Sequence, residues 1–79
     1  MKIRIIVRKK VGVLDIVGKA VKTALQNLEI KNIADVSKGM FVEIDFTGSE
    51  AEVPSFVNEV CEKLLVNDVI ESFEYEILK

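Results

Sequence analysis

The stretch Lys2-Ile3-Arg4-Ile5-Ile6-Val7-Arg8 decides how this chain folds. Ile3, Ile5 and Val7 alternate with Lys2, Arg4 and Arg8, the period of two that marks a strand with one buried face and one solvated face. Ile6 interrupts the polar face. A strand so rich in charge on one side needs a neighbour that answers it. The carboxylates that can do so lie at the far end of the chain, where Ser72, Glu74 and Glu76 alternate with Phe73, Tyr75 and Ile77.

Working outward from the first strand, Lys9-Lys10 leads to a loop marked by Gly12, and Asp15 stands as the N-cap of a helix. Val17, Ala20, Val21, Ala24, Leu25 and Leu28 share one face of that helix, with Lys19, Lys22 and Gln26 on the other. A short connection at 29–32 precedes Ile33–Ser37, which reads as a second strand. Lys38-Gly39 reads as a tight turn in which glycine is free to take positive φ. Met40, Val42, Ile44 and Phe46 then alternate with Phe41, Glu43 and Asp45, predicting a third strand in a hairpin with the second. Ser49-x-x-Glu52 has the form of a capping box opening a second helix. Pro54 leaves its first residue open, because a proline beyond the first turn removes a backbone donor. Val53, Val57, Val60, Cys61 and Leu64 predict its apolar face, Asn67 its stop, and Ile70–Leu78 the last strand.

The order β-α-β-β-α-β, with no linker or repeat, predicts one α+β domain over residues 1–79. Its antiparallel sheet would carry two helices on one face, in the ferredoxin-like arrangement. First and last strands are then antiparallel neighbours, and Lys2, Arg4 and Arg8 share a sheet face with Glu74 and Glu76. Residues 1–40 carry a net charge of +6 and residues 41–79 one of −8. Side-by-side strands absorb much of that asymmetry, which otherwise reads as a face for anionic partners. The same uncovered face carries Ile6, Phe41 and Leu78, which predicts a subunit contact.

Composition narrows the functional classes. Of 79 residues, 49% are hydrophobic and 30% charged, a globular balance. No apolar run approaches the ~20 residues of a membrane span, and the charged first residues do not read as a signal peptide. One cysteine excludes an intrachain disulfide, so a cytoplasmic address is expected. Histidine is absent, which removes Ser–His and Cys–His catalysis and the common zinc sites from a single chain. At this length one core rarely supplies more than ~3–5 kcal/mol, so self-association is expected.

Four local patterns invite a functional reading and fail it. Gly12 and Gly18-Lys19 have five residues between the glycines and Ala20 after the lysine, where a phosphate-binding loop needs four and a Ser or Thr. Lys38-Gly39-Met40-Phe41-Val42 resembles a fragment of the RNA-recognition signature. Glu43 and Asp45 follow Phe41 on its face, however, and the first strand offers no stacking aromatic. Cys61 has no histidine to activate it and reads as a buried structural thiol. Glu71 alternates to the opposite side from Glu74 and Glu76, so the three do not make a compact cation site.

Three blocks taken together resemble one family. Lys10-Val11-Gly12-Val13-Leu14-Asp15 with Gly18-Lys19-Ala20-Val21 and Ala24-Leu25 resembles the opening of PurS, a subunit of phosphoribosylformylglycinamidine (FGAM) synthase. Asp35-Val36-x-x-Gly39 occupies the family's middle turn. Glu59-x-Cys61-Glu62-Lys63-Leu64-Leu65-x-Asn67-x-Val69-Ile70-Glu71 is similar to its closing segment. Ile16-Val17 replaces the family's usual Pro-Gln, Ser37 and Met40 replace basic residues flanking the middle glycine, and Asp68 replaces a proline. The resemblance implies a cytoplasmic, non-catalytic subunit, self-associating as a dimer or tetramer. It would join a glutaminase subunit to an ATP-dependent synthetase subunit and support ammonia transfer in purine biosynthesis. ATP and magnesium then belong to the synthetase partner; this chain is expected to bind no cofactor or metal, no nucleic acid and no membrane. The expected partner contacts are Gly12, Val13, Leu14, Asp15 and Gly18 in the first loop and helix start, with Asn67 and Glu71 near the end. The alternative is an amino-acid-sensing, ACT-like regulatory module, since such domains share the strand order and bind effectors near a Gly-containing first loop.

Overall fold

The computed structural model describes residues 1–78. The first strand is as expected: β1 spans Lys2–Lys9 and buries Ile3, Ile5 and Val7 while Arg4 and Ile6 stay half-buried on the other side. It is hydrogen-bonded along both edges. β2 (Met40–Asp45) and β3 (Glu71–Leu78) both run antiparallel to it, giving the order β2-β1-β3. Between them lie helix α1 (Ile16–Asn27) and helix α2 (Val53–Val60).

The inner face of β1 meets a single line of α2. Val53, Val57 and Cys61 are spaced by four, so they stack on one side of a helix, and all three are fully buried with Ile3, Ile5 and Val7. Ile44, Phe46, Phe56, Leu65, Val66 and Ile77 pack around these six, with the rings of Phe46 and Phe56 stacked at 4.4 Å between centroids. Pro54 costs nothing because it falls in the first turn of α2, after a 3₁₀ turn over Glu50–Glu52. The Glu52 carboxylate closes that turn by accepting from Ser49 N at 3.3 Å and Ser49 Oγ at 3.0 Å.

The outer face of the sheet carries the charge pairing read from the sequence. Arg4 stands opposite Glu43 on one side and Glu76 on the other, bonding their carboxylates at 2.7 and 3.2 Å. Arg8 pairs with Glu74. Ile6 lies between Phe41 and Glu74 in the two ladders.

Four expectations are corrected. Residues 33–37 form no strand, so the sheet has three strands and lacks the outer one beyond β2. Their backbone is engaged with α1 and with their own side chains: Ala34 O accepts from Lys22 Nζ, and Val36 N donates to Asp35 Oδ1. Gly39 does not adopt positive φ. It is needed because a Cβ there would lie 2.5 Å from Val7 O, where the chain enters β2. Leu64 is 80% exposed, because a π turn over Cys61–Leu65, closed by Val66 N to Cys61 O at 3.0 Å, inserts an extra residue and turns Leu65 inward instead. Finally, α1 contributes nothing to the buried core; its only buried residue is Gly18. The chain is therefore elongated, 49 × 28 × 15 Å with a radius of gyration of 15.9 Å.

α1 ends in a Schellman motif, with Ile30 N donating to Leu25 O and Glu29 N to Gln26 O. The residue that must turn left-handed is Glu29, at φ 61°, a conformation costly for any residue with a Cβ. Glu29→Gly is therefore expected to raise stability by about 0.5–1 kcal/mol. Ile5→Ala is expected to lower it by about 3 kcal/mol. Urea denaturation followed by circular dichroism checks both.

Candidate functional site

The β1–α1 loop begins with a turn from Lys10 to Val13, Val13 N donating to Lys10 O at 3.1 Å. Gly12 takes the third place in that turn at φ 86°, where a side chain would be strained. Lys10 N extends the β1–β3 pairing by donating to Ile70 O at 2.8 Å, and Lys10 Nζ donates to Asp68 O at 2.5 Å. The loop thus lies directly against the turn that precedes β3. Asn67 organises that turn. Its carbonyl accepts from Ile70 N and Glu71 N, its Oδ1 accepts from Val69 N, and its own amide donates to Glu71 Oε1 at 2.9 Å.

Asp15 does more than cap a helix. One carboxylate oxygen accepts from Gly18 N at 2.8 Å, and the other accepts from Lys38 N, 23 residues on, at the same distance. The two bonds, led by that from Lys38, hold the Asp15 carboxyl below its ordinary value, with Lys9 adding to the effect. Gly18 allows the same approach from the helix side: a Cβ there would lie 2.4 Å from Val36 O. Asp15, Gly18 and Lys22 together fasten α1 to residues 34–38.

The seven residues expected at contacts fall in two neighbouring groups and one buried position. Gly12, Val13, Leu14 and Asp15 line one groove of about 660 Å³ with Lys19 and Lys22. Asn67 and Glu71 sit in the adjoining turn, and Gly18 is buried beneath as the spacer. The bond between Lys10 and Ile70 brings the two groups to one end of the molecule. Val11 is fully exposed there, and Leu14, Ile16 and Val69 are exposed as well. Sequence reasoning missed Lys38 and Val36. For Val36 the signal available was Gly18 itself, since a glycine in a helix where alanine is better marks close backbone approach.

Among the described residues no group of acidic and cysteine side chains is arranged to hold a metal, and no helix is long and apolar enough to cross a membrane. Cys61, the only thiol, is buried in the core, and burial pushes its pKa up. A second groove, about 600 Å³, opens on the outer sheet face beside Arg4, Ile6, Arg8, Lys38 and Phe41. Arg4 lies 5.9 Å from the Phe41 ring centroid, and Glu43 first and Glu76 second raise its pKa.

The family model of PurS, described as phosphoribosylformylglycinamidine (FGAM) synthase, matches residues 2–79. The chain belongs to the PurS family. The PurS subunit of Bacillus subtilis FGAM synthase is 38% identical over 76 residues, covering 96% of this chain and 90% of that one. The PurS subunit of Methanocaldococcus jannaschii is 34% identical, covering 99% and 95%. Among solved structures, Bacillus subtilis PurS superposes with a TM-score of 0.90 at 37% identity, covering 99% and 98% of the two chains. A PurLQS structure from Thermotoga maritima contains a similar chain, with a TM-score of 0.72 at 25% identity and coverage of 98% and 95%. The chain is thus a PurS-type α+β domain, and PurS is a subunit of FGAM synthase. Membership of this family favours the subunit role over the amino-acid-sensing alternative.

The Asp15 clasp has a defined pH response. Its folded pKa lies below its unfolded one, so its contribution is complete above the ordinary aspartate range. It is lost as pH falls through the depressed folded value. The amide resonances of Gly18 and Lys38 are expected to titrate together with a midpoint below about 3.9, the ordinary aspartate pKa. They should lose that transition in Asp15→Asn. A midpoint at or above the ordinary value would contradict the clasp.

Proposed function

We propose that this chain is the non-catalytic bridging subunit of FGAM synthase in purine biosynthesis. It would join the glutaminase and synthetase subunits, self-associate, and act in the cytoplasm. The observation that carries this reading is the single end of the molecule formed by the Lys10–Asp15 loop and the Asn67–Glu71 turn. There, exposed apolar side chains stand on a backbone fixed by hydrogen bonds. The PurS assignment over nearly the whole chain and the similarity to a chain of a PurLQS structure support it.

The physical role follows from the surface. Burying Val11, Leu14, Ile16 and Val69 against a partner contributes at ~25 cal/mol per Å² before association costs. Gly12 and the Asn67 turn hold the contact backbone in place in advance, which reduces the ordering cost of binding. Joining two larger subunits raises the local concentration of one active site's product at the other. Ammonia released by glutamine hydrolysis then meets the synthetase before it escapes, and this requires no acid, base or nucleophile from the bridge. ATP and magnesium are bound by the synthetase partner and not by this chain.

Reconstitution tests the role. Adding the chain to its cognate synthetase and glutaminase is expected to raise glutamine-dependent amidine formation at least tenfold. Equal rates with and without it would refute the bridge. Leu14→Asp is expected to weaken assembly at least tenfold, read by sedimentation, while leaving the urea midpoint of the isolated chain unchanged because Leu14 is exposed.

A further inference from the structure

The basic charge of the first half of the chain is only partly answered within the fold. Residues 1–40 carry nine lysines and arginines, of which the ion pairs of the outer sheet face engage Arg4 and Arg8. Four of the others, Lys9, Lys10, Lys19 and Lys22, line the 660 Å³ groove beside the β1–α1 loop. Among the described residues none of these four forms a salt bridge. Lys10 and Lys22 donate to the carbonyls of Asp68 and Ala34, which hold the side chains in place without cancelling their charge. The acidic residues of the groove are already engaged, Asp15 by the amides of Gly18 and Lys38 and Asp35 by that of Val36.

The groove is shaped for a length of chain more than for a single ion. Lys19, Lys22 and Gln26 follow one another along the face of α1 opposite Val17 and Val21. From Lys19 to Gln26 the helix rises ~10 Å, the length of about three residues of extended chain. Val11 and Leu14 stand exposed at the loop end of the same groove. The lining is thus basic along the helix and apolar at the loop.

We propose that this groove receives an acidic, extended segment of a partner subunit. Its carboxylates lie along Lys9, Lys10, Lys19 and Lys22, and an apolar side chain rests against Val11 and Leu14. The proposal rests on the bridging reading above and deepens it by naming the chemistry that the bridge grips. Complementary charge of this kind speeds encounter and fixes orientation more than it adds affinity, and salt screens it. Because the groove lies on the side of α1 away from its apolar stripe, filling it does not compete with burial of that stripe.

Binding of the immobilised intact chain to its cognate synthetase, its cognate glutaminase and their mixture tests the proposal. Raising salt from about 0.05 to about 0.5 M is expected to weaken the binding at least tenfold, chiefly by slowing association. Lys19→Glu should weaken it at least tenfold at low salt and flatten the salt dependence. Lys19 is exposed, and an acidic side chain suits the N-terminal end of a helix, so the urea midpoint of this variant should not fall. Should Lys19→Glu fail to fold, the wild-type salt series decides. An oligoglutamate peptide should displace the partner, and inorganic phosphate at matched ionic strength should not. Displacement by phosphate as readily as by the peptide would make the ligand a small anion and overturn the proposal. Salt-independent binding, or Lys19→Glu bound as tightly as wild type, would overturn it too, while binding itself would leave the bridge standing. A wild-type chain that binds none of the three would overturn both readings.

Discussion

Everything in this molecule hangs on β1 being hydrogen-bonded along both edges. Among the described residues the sheet has three strands, and the other two are joined only through β1. β1 therefore has to serve two environments at once. Its inner residues supply half of the fully buried core, and its outer residues carry the cations that face carboxylates on both neighbours. The ion pairs are exposed and contribute little to stability individually. Their value lies in register. A slip of one residue would turn Arg4 toward α2 and Ile5 toward solvent, and it would also set Arg4 against neither Glu43 nor Glu76.

That dual role explains which parts of the fold were legible in the sequence. β1 and β3 were readable because alternation with charge on one face is a strong pattern, and because the charges on the two strands are complementary. The helices were readable from their apolar periodicity. Residues 33–37 show why such reading stops: Ile33 and Val36 make the segment look like a strand, but alternation cannot report whether a ladder partner exists. The backbone there is tied to Lys22 and Asp35 instead. Leu64 shows a second limit. A helical period predicts its face only while the period holds, and the π turn at Cys61–Leu65 breaks it. The Schellman turn was hidden for the opposite reason, because Glu29 occupies a place where glycine is the usual sign.

The candidate site was legible in its parts and not in its assembly. Gly12 and Asp15 announced a fixed loop and a helix start, and Asn67 announced a turn. Their proximity follows from β1 and β3 being neighbours, which carries the pairing one residue further to Lys10 and Ile70. Lys38 could not have been foreseen as the second donor to Asp15, since nothing local marks a backbone amide that will meet a carboxylate 23 residues away. The result is a small core that fixes one hydrogen-bonded end and leaves Val11, Leu14, Ile16 and Val69 exposed.

The burial of Cys61 gives the protein a built-in clock. Its sulfur lies in the contact between α2 and β1, and burial disfavours the thiolate that reacts with electrophiles. Alkylation therefore has to wait for the helix to lift from the sheet. When closing is faster than reaction, the labelling rate equals the thiol's intrinsic reactivity multiplied by the fraction of time the core stands open. With a single cysteine in the chain, that rate reports one event without any engineered probe. It can be followed in the free chain and in whatever assembly the chain joins.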